Sequence, residues 1–297
     1  MIKHIVLSGG GPNNIIQLGC IKQLYDSGII KRDDIESIYA TSAGAILGLT
    51  IALKYDINVV CDYFIKRPWN KVFNFNPKDL LEIIENNGYM DRTFVEEMLD
   101  TFITAKDHSK DISLIELYNE YKVRFNIYTI RLDPFDKLVL NHENYPSMPV
   151  KTAILMSCAL PPMFKPVLYN GSYYIDGGMI CNYPIVDCIL KYKNMEEIIG
   201  LHVCSGTQDK TTFSDEVSMP DYGVMLLGIL IKHMQKQNYI SDVNEILIKS
   251  KYTAININAW KALLDDKDRE AMFIQGIELA KEYIIKQNLK IDPECQH

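Results

Sequence analysis

A serine stands between a short apolar run and a stretch with helical character near the start of the chain. The run Ile35 to Tyr39 predicts a strand, Ala45 to Leu49 predicts a helix, and Ser42 lies on the turn between them. Such a turn lifts the serine hydroxyl out of the backbone and points the N–H groups of the following helix at it. Small neighbours let a tight turn close without a Cβ clash. The motif around the serine consists of Ala40, Thr41, Ala43 and Gly44.

Three consecutive glycines follow the first predicted strand. Gly9, Gly10 and Gly11 come after the apolar run His4 to Leu7 and precede the helical pattern Ile15 to Tyr25. Glycines at a strand–helix junction expose backbone N–H groups, and such groups suit an anionic oxygen. They are candidate oxyanion donors.

A carboxylate ends another strand-like stretch far along the chain. Asp176 follows Tyr173 to Ile175 and precedes Gly177 and Gly178. Acyl hydrolysis by serine requires a nucleophile, a base within hydrogen-bond reach and donors for the developing oxyanion. The chain supplies a candidate for each of these, which favours serine acyl transfer.

Together these motifs resemble the patatin-like phospholipases, the family of Ser–Asp dyad lipid acyl hydrolases. The matching stretches follow the family's order and spacing to about position 205: Gly9–Gly11, Thr41–Gly44, Ser157–Pro166, Asp176–Gly178 and Asn182–Pro184.

The resemblance implies an α/β chain with a three-layer α/β/α fold, a mostly parallel central sheet and helical insertions. It implies that Ser42 is the nucleophile and Asp176 the general base. It places the oxyanion hole at four residues, which are Gly9, Gly10, Gly11 and Ala43. The expected substrate is a phospholipid or another acyl lipid, cleaved as a phospholipase A would, with no cofactor, no metal and no calcium requirement.

The chain departs from the family's pattern in two places, the serine turn and the glycine loop. Ala40 stands where the family usually has glycine, and it adds a Cβ at a tight turn. Asn13 and Asn14 stand where the glycine loop normally carries a basic residue and another glycine. The loop therefore lacks its usual cation, and backbone donors must carry the oxyanion stabilisation.

Other readings of the same motifs fit less well. A dinucleotide fingerprint needs a third glycine where Asn14 stands, and a P-loop needs Gly-Lys-Ser/Thr, which does not follow Gly11. An α/β-hydrolase triad needs a histidine after Asp176. His202, within an apolar strand pattern, and His233, on a predicted helix, are the ones available, and both favour structural roles.

Two functional alternatives stay open besides a phospholipase. The chain could be a lipid-binding protein without catalytic activity, for which Asn13 is the sequence hint. It could also be a soluble esterase or acyltransferase with the same dyad. The presence of both Ser42 and Asp176 counts against an inactive lipid-binding protein. A preference for monomeric over aggregated substrate would distinguish a soluble esterase or acyltransferase from a phospholipase.

Composition indicates an intracellular enzyme that is soluble or peripherally membrane-associated. The 297-residue chain has a formal net charge of −7, which argues against nucleic acid as a partner and against electrostatic attraction to anionic membranes. Contact with a bilayer would depend on apolar side chains. No signal peptide is visible, and the longest apolar stretch, 222–231, is too short to span a bilayer. Seven cysteines without a pairing pattern indicate reduced thiols.

Strand and helix patterns alternate along the first 205 residues, as a parallel sheet requires. These patterns predict strands at 3–7, 35–40, 124–132, 137–141 and 197–204, and helices at 15–26, 44–53, 93–103 and 150–158. A helix is also predicted after Asn76-Pro77, and a capping box at Ser113 opens another. We therefore expect a catalytic core over 1–205 and a helical region over 206–297 that packs on it. A helix near 224–231 in that region is a candidate lid or lipid-facing element.

Overall fold

One mixed β-sheet runs through the centre of the fold. The computed structural model describes residues 1–72, 92–205, 218–235, 243–251 and 253–291. Within these residues the sheet has eight strands: β1 (His4–Leu7), β2 (Ser37–Thr41), β3 (Arg124–Leu132), β4 (Phe135–Leu140), β5 (Val167–Tyr169), β6 (Ser172–Asp176), β7 (Ile198–Ser205) and β8 (Glu245–Ser250).

The middle of the sheet is parallel and one side is antiparallel. The hydrogen-bonded order is β5-β6-β3-β2-β1-β7-β8, and β4 also pairs with β3. The four contacts that join β3, β2, β1, β7 and β8 are parallel, whereas β4, β5 and β6 pair antiparallel. The expected mostly parallel sheet is confirmed.

Helices connect and cover these strands. In chain order they are α1 (Asn14–Asp26), α2 (Ala43–Ala52), α3 (Ile57–Lys66), α4 (Trp69–Val72), α5 (Thr93–Thr104), α6 (Leu114–Tyr121), α7 (Val150–Ser157), α8 (Ile185–Tyr192), α9 (Met219–Gln235), α10 (Ile257–Leu264) and α11 (Asp266–Ile291). The predicted capping box is present: Ser113 Oγ accepts the Glu116 N–H while the Glu116 carboxylate accepts the Ser113 N–H. The helix predicted after Asn76-Pro77 lies outside the described residues.

Side chains of the central strands point alternately to two apolar layers, because successive residues of a strand face opposite sides. Ile5 and Leu7 of β1 belong to the larger buried cluster, which includes residues of α1 and α2. Val6, between them, belongs to a second cluster with Tyr39 of β2 and Ile185 of α8. Burial on both faces explains why β1 is a continuous apolar run rather than an alternating one, and it gives the expected three-layer α/β/α fold.

The C-terminal region contributes to the sheet as well as covering it. β8 lies parallel to β7, so the sheet continues into residues that we expected to be helical. The long helix α11 packs along α1 where two glycines allow close approach. A Cβ on Gly19 would collide with the Phe273 carbonyl, and one on Gly276 would collide with the Ile16 carbonyl.

No helix in the described ranges combines the length and apolar character needed to cross a membrane. In the same ranges, no three His, Cys, Asp or Glu side chains converge as metal ligands would.

Candidate active site

Ser42 occupies a strained turn between β2 and α2. Its backbone has φ +54° and ψ −132°, a conformation that L-residues rarely adopt. Gly44 lets the turn approach the end of β1, because a Cβ there would stand 2.6 Å from the Ser8 carbonyl oxygen. The Ser42 N–H donates to Ser157 Oγ at 2.8 Å, and Ser157 Oγ donates to the Tyr128 carbonyl at 2.6 Å. These bonds hold the turn in place.

The register of β3 brings Asp176 to Ser42. Residues 127–128 of β3 pair with both β2 and β4, and residues 129–131 pair with both β4 and β6. β2 and β6 therefore share the edge of β3 that lies opposite β4. Thr41 is opposite Tyr128, and Asp176 is opposite Thr129, one residue further along. The Ser42 hydroxyl consequently donates to Asp176 Oδ2 at 2.6 Å.

The Asp176 carboxyl is buried, being 1% exposed. Its burial raises its pKa to about 7, and the hydrogen bonds from the Ser42 hydroxyl and the Gly178 N–H partly oppose that shift. Gly177 and Gly178 let the chain turn tightly here. A Cβ on Gly177 would collide with the Tyr128 carbonyl, and one on Gly178 would lie 2.7 Å from Asn182 Oδ1.

The glycine loop lies against the same turn, and its three N–H groups differ. The Gly9 N–H donates to the Asn182 carbonyl at 3.1 Å, so it already has an acceptor. Within the described residues, the N–H groups of Gly10, Gly11 and Ala43 have no hydrogen-bond acceptor. Gly11 and Ala43 line one pocket with Ser42. The candidate oxyanion donors are therefore Gly10, Gly11 and Ala43. The family resemblance also places Gly9 in the oxyanion hole, but in the structure the Gly9 N–H is bonded to Asn182.

Both departures from the family's pattern are accommodated. Ala40 is fully buried opposite Leu7 of β1, and its methyl group joins the larger core cluster. Asn14 begins α1, and its side-chain amide donates to the Ser8 carbonyl and to Gln17 Oε1, both at 3.2 Å. Asn13 is buried, and its amide donates to the Gly10 carbonyl at 3.0 Å.

An apolar pocket leads to the serine. Its empty volume, counted with its open mouth, is about 750 Å³. Ser42 lies in its wall, and most other lining residues are apolar: Ile15, Ile46, Leu47, Phe64, Trp69, Phe94, Val95, Met98, Leu160, Phe164, Trp260 and Leu263. Trp69 is a buried part of this wall. The apolar lining suits a hydrocarbon chain.

The rival catalytic residues lie elsewhere or are chemically unsuited. His202 stacks on Tyr183 with ring centroids 4.3 Å apart, and burial lowers its pKa to about 4. His233 is an exposed residue of α9. In the described part of the chain, neither histidine hydrogen-bonds Ser42 or Asp176. Cys158 lines the pocket, but burial and the nearby Asp176 carboxylate raise its thiol pKa well above the ordinary value.

Three contributions to the site were not assigned from the sequence. Ser157 and Asn182 lay within recognised motifs, but nothing in those motifs showed that their side chains hold backbone groups of the site. Trp260 of the C-terminal region lines the pocket. A tryptophan in a helical pattern carries no local signal of where that helix docks.

Comparison with known proteins places this geometry in context. The family model described as patatin-like phospholipase matches residues 5–189. Uncharacterized protein R571 of Acanthamoeba polyphaga mimivirus is 26% identical over 290 residues, which cover 96% of this chain and 94% of that protein. Probable lipid hydrolase 463L of Invertebrate iridescent virus 6 is 24% identical over 192 residues, covering 65% of this chain and 64% of that protein.

A solved structure has the same fold. The crystal structure of VipD from Legionella pneumophila matches with a TM-score of 0.59 and 16% sequence identity. The match covers 96% of this chain and 67% of that chain. The α/β/α architecture is therefore shared across large sequence differences.

Proposed function

The chain belongs to the patatin-like phospholipase family, and from this premise we propose that it is a lipid acyl hydrolase of the phospholipase A type. The observation that carries the proposal is the 2.6 Å hydrogen bond from the Ser42 hydroxyl to the buried Asp176 carboxylate beside an apolar pocket. A nucleophile that shares a hydrogen bond with a base is the arrangement that covalent acyl transfer needs. The viral relative whose name is probable lipid hydrolase supports the same class.

The first half of the reaction acylates the enzyme. Ser42 Oγ attacks the ester carbonyl carbon while its proton passes to Asp176. The carbonyl oxygen becomes an oxyanion that accepts hydrogen bonds from the N–H groups of Gly10, Gly11 and Ala43. As the tetrahedral intermediate collapses, the bond to the leaving alkoxide breaks, and Asp176 returns the proton to it.

The second half releases the fatty acid. Water gives a proton to Asp176 and attacks the acyl group on Ser42. The ester bond to Ser42 then breaks, and the proton passes from Asp176 to the serine oxygen. Each proton and charge is handled by residues of the chain, so we propose that turnover is independent of calcium.

The environment of Asp176 suits this double role. An aspartate at its ordinary pKa is a weak base, whereas burial raises the pKa of Asp176 to about 7. A base whose pKa lies near the working pH is both available and strong enough to take a proton. A histidine is then unnecessary between the serine and the carboxylate.

The pocket supports long acyl chains as the part of the substrate that binds. Burying a methylene group contributes about 0.8 kcal/mol to the free energy of binding. An apolar wall therefore binds an acyl chain more tightly with each methylene group that it buries. The positive end of α2 lies beside Ser42, and Gly11 and Ala43 line the pocket with Ser42, where the ester carbonyl would be. The acyl group of a phospholipid or related lipid has both an apolar chain for the pocket and an ester carbonyl for the position beside Ser42.

We propose further that α9 makes peripheral contact with the lipid surface that supplies the substrate. Five exposed apolar side chains recur along it at helical spacing: Met219, Tyr222, Leu226, Ile229 and Leu230. At 100° per residue they fall within a 100° arc of one face. The helix packs against Gly177–Met179, the turn that follows Asp176. The helix, as an element, therefore lies close to the catalytic residues, where a lipid would have to leave the bilayer.

A lipid-panel assay tests the catalytic proposal. Ser42→Ala should remove ester hydrolysis and labelling by a fluorophosphonate probe, because among the residues that the structure describes no other nucleophile shares a hydrogen bond with Asp176. Asp176→Asn keeps the shape but cannot accept the proton, so turnover should fall by roughly 10²–10⁴. His202→Gln is the control, and its rate should stay within a few fold.

Each alternative predicts a different result. A catalytically inactive lipid-binding protein would bind lipid but show neither hydrolysis nor labelling. A soluble esterase would cleave monomeric short-chain esters as readily as aggregated phospholipid. Loss of activity in His202→Gln, with Asp176→Asn still active, would contradict the dyad.

A further inference from the structure

The two peptides that link Gly9, Gly10 and Gly11 are each held by a side-chain amide. Asn182 Nδ2 donates to the Gly9 carbonyl at 3.1 Å. Asn13 Nδ2 donates to the Gly10 carbonyl at 3.0 Å, and the Asn13 backbone N–H donates to the same oxygen at 3.2 Å. Both carbonyls therefore have fixed directions.

A fixed carbonyl direction also fixes the next N–H. In a planar trans peptide, the C=O of one residue and the N–H of the following residue point in opposite directions. Holding the Gly9 carbonyl thus orients the Gly10 N–H, and holding the Gly10 carbonyl orients the Gly11 N–H. The Gly10 and Gly11 N–H groups are two of the three candidate oxyanion donors. Neither has an acceptor among the described residues.

The Asn13 side chain is itself anchored by the C-terminal end of the sheet. Ser250, the last residue of β8, donates its hydroxyl to Asn13 Oδ1 at 2.6 Å. Both side chains are 3% exposed, so water competes little for this bond. An amide can accept from Ser250 and donate to Gly10 at the same time, which a cationic side chain at this position could not do.

We propose that Asn13 and Asn182 are positioning residues that aim the Gly10 and Gly11 N–H groups at the oxyanion, with Ser250 holding Asn13 in place. This inference rests on the proposed acyl hydrolysis. The asparagines act on the transition state through the backbone and do not touch the substrate. Glycine in these peptides has wide backbone freedom, so the side-chain bonds replace the restriction that a Cβ would give.

The test separates transition-state binding from ground-state binding. A trifluoromethyl ketone adds Ser42 to its carbonyl carbon and becomes an oxyanion, whereas a non-hydrolysable ether lipid only occupies the pocket. Asn13→Ala and Asn182→Ala should lower kcat and ketone affinity together by roughly 10–100-fold, since oxyanion donors act in the transition state. KM and ether-lipid affinity should stay within about threefold.

Two further variants complete the experiment. Ser250→Ala should give a smaller loss of kcat and ketone affinity, and Ser250→Thr, which keeps the hydroxyl, should restore both. Asn126→Ala is the matched control for Asn13→Ala, because Asn126 is as buried as Asn13 and its amide likewise donates to a backbone carbonyl, that of Ile38 in β2. This control should change the melting temperature without a selective loss of ketone affinity.

Wild-type kcat and ketone affinity in folded Asn13→Ala and Asn182→Ala would overturn the inference. So would equal losses of ketone and ether-lipid affinity, which would indicate general loosening of the site. If an alanine variant does not fold, the comparison of Ser250→Ala with Ser250→Thr decides the question for Asn13. A wild-type chain that neither hydrolyses esters nor binds the ketone would instead refute the proposed function.

Discussion

The strained backbone of Ser42 is stabilised by one neighbouring hydroxyl. A residue in such a conformation costs of the order of 1–3 kcal/mol. Ser157 accepts from the Ser42 N–H and donates to the Tyr128 carbonyl, so it links the turn to β3. The bond to Tyr128 explains why a serine rather than an apolar residue faces the site at the end of α7.

The raised pKa of Asp176 predicts how activity depends on pH. The base must be ionised to accept the Ser42 proton, so activity is lost as pH falls below the folded-state pKa of about 7. We expect kcat/KM for a soluble ester to rise with pH from 5 and level off above about 8. A stopped-flow or pH-stat profile measures this directly.

The same profile separates the dyad from a histidine triad. In Asp176→Asn the residual rate should lose the inflection near pH 7. In His202→Gln the inflection should remain where it is in the wild type. A wild-type profile that is flat between pH 5 and 9 would contradict the assignment of Asp176 as the base.

Among the elements, those with local signals were predictable from the sequence. The apolar run of β1, the helical periodicity of α1 and α5, and the capping box of α6 are properties of a few neighbouring residues. The strand predicted at 137–141 begins earlier, at Phe135, because it forms a hairpin with β3. Pairing of this kind extends a strand beyond its own apolar residues.

β8 could not be predicted from local sequence patterns, because it depends on a partner strand. Ile246 and Ile248 are buried while Leu247 is exposed, which is an alternation over six residues only. The strand forms because Gly200–Ser205 of β7 offers it a parallel edge. Such a partner is distant in sequence, and the link from Ser250 to Asn13 depends on it. The convergence of Ser42 and Asp176, in contrast, was expected from the family resemblance.

The apolar face of α9 leads to a prediction about lipid surfaces. Leu226→Ser combined with Leu230→Ser should weaken binding to neutral phosphatidylcholine vesicles and lower turnover of vesicle substrate by roughly tenfold, because apolar burial drives interfacial binding. Turnover of a soluble short-chain ester should be unchanged. Vesicle co-sedimentation and the two assays measure these effects.

A matched control is available on another helix. Ile285 of α11 is 59% exposed and apolar, so Ile285→Ser removes similar surface from a different element. It should leave vesicle binding unaltered. Equal effects of the α9 and α11 variants, or none from the α9 variants, would contradict a role of α9 at the interface.

At the scale of the whole molecule, the pocket is built from separate parts of the chain. α5 supplies one wall, α3 and α4 supply another, and α10 supplies Trp260 and Leu263. Arg269 of α11 is fully buried and joins two of these parts. Its guanidinium donates to the carbonyl of Ile65 in the last turn of α3 and to that of Arg67 just after the helix, both at 3.1 Å. It also donates to the carbonyl of Leu263 at 2.7 Å.

This architecture predicts that the C-terminal region sets acyl-chain length. Leu263→Trp should narrow the pocket and lower kcat/KM for long-chain esters by roughly tenfold or more, while butyrate esters are cleaved as in the wild type. Overpacking costs about 1–3 kcal/mol of stability, so thermal unfolding must accompany the assay. A uniform loss for all chain lengths would contradict the prediction.

Ser42 and Asp176, the two residues of the proposed dyad, are positioned against one strand, β3. Ser42 follows a residue paired with Tyr128, and Asp176 is paired with the next residue, Thr129. The distance between them is therefore set by adjacent peptides of β3 and not by the chain that joins them. Changes in the pocket-lining helices α3, α4 and α5 can therefore alter the pocket without moving the hydroxyl relative to the carboxylate. In evolutionary terms, chemistry and specificity can vary independently in this scaffold.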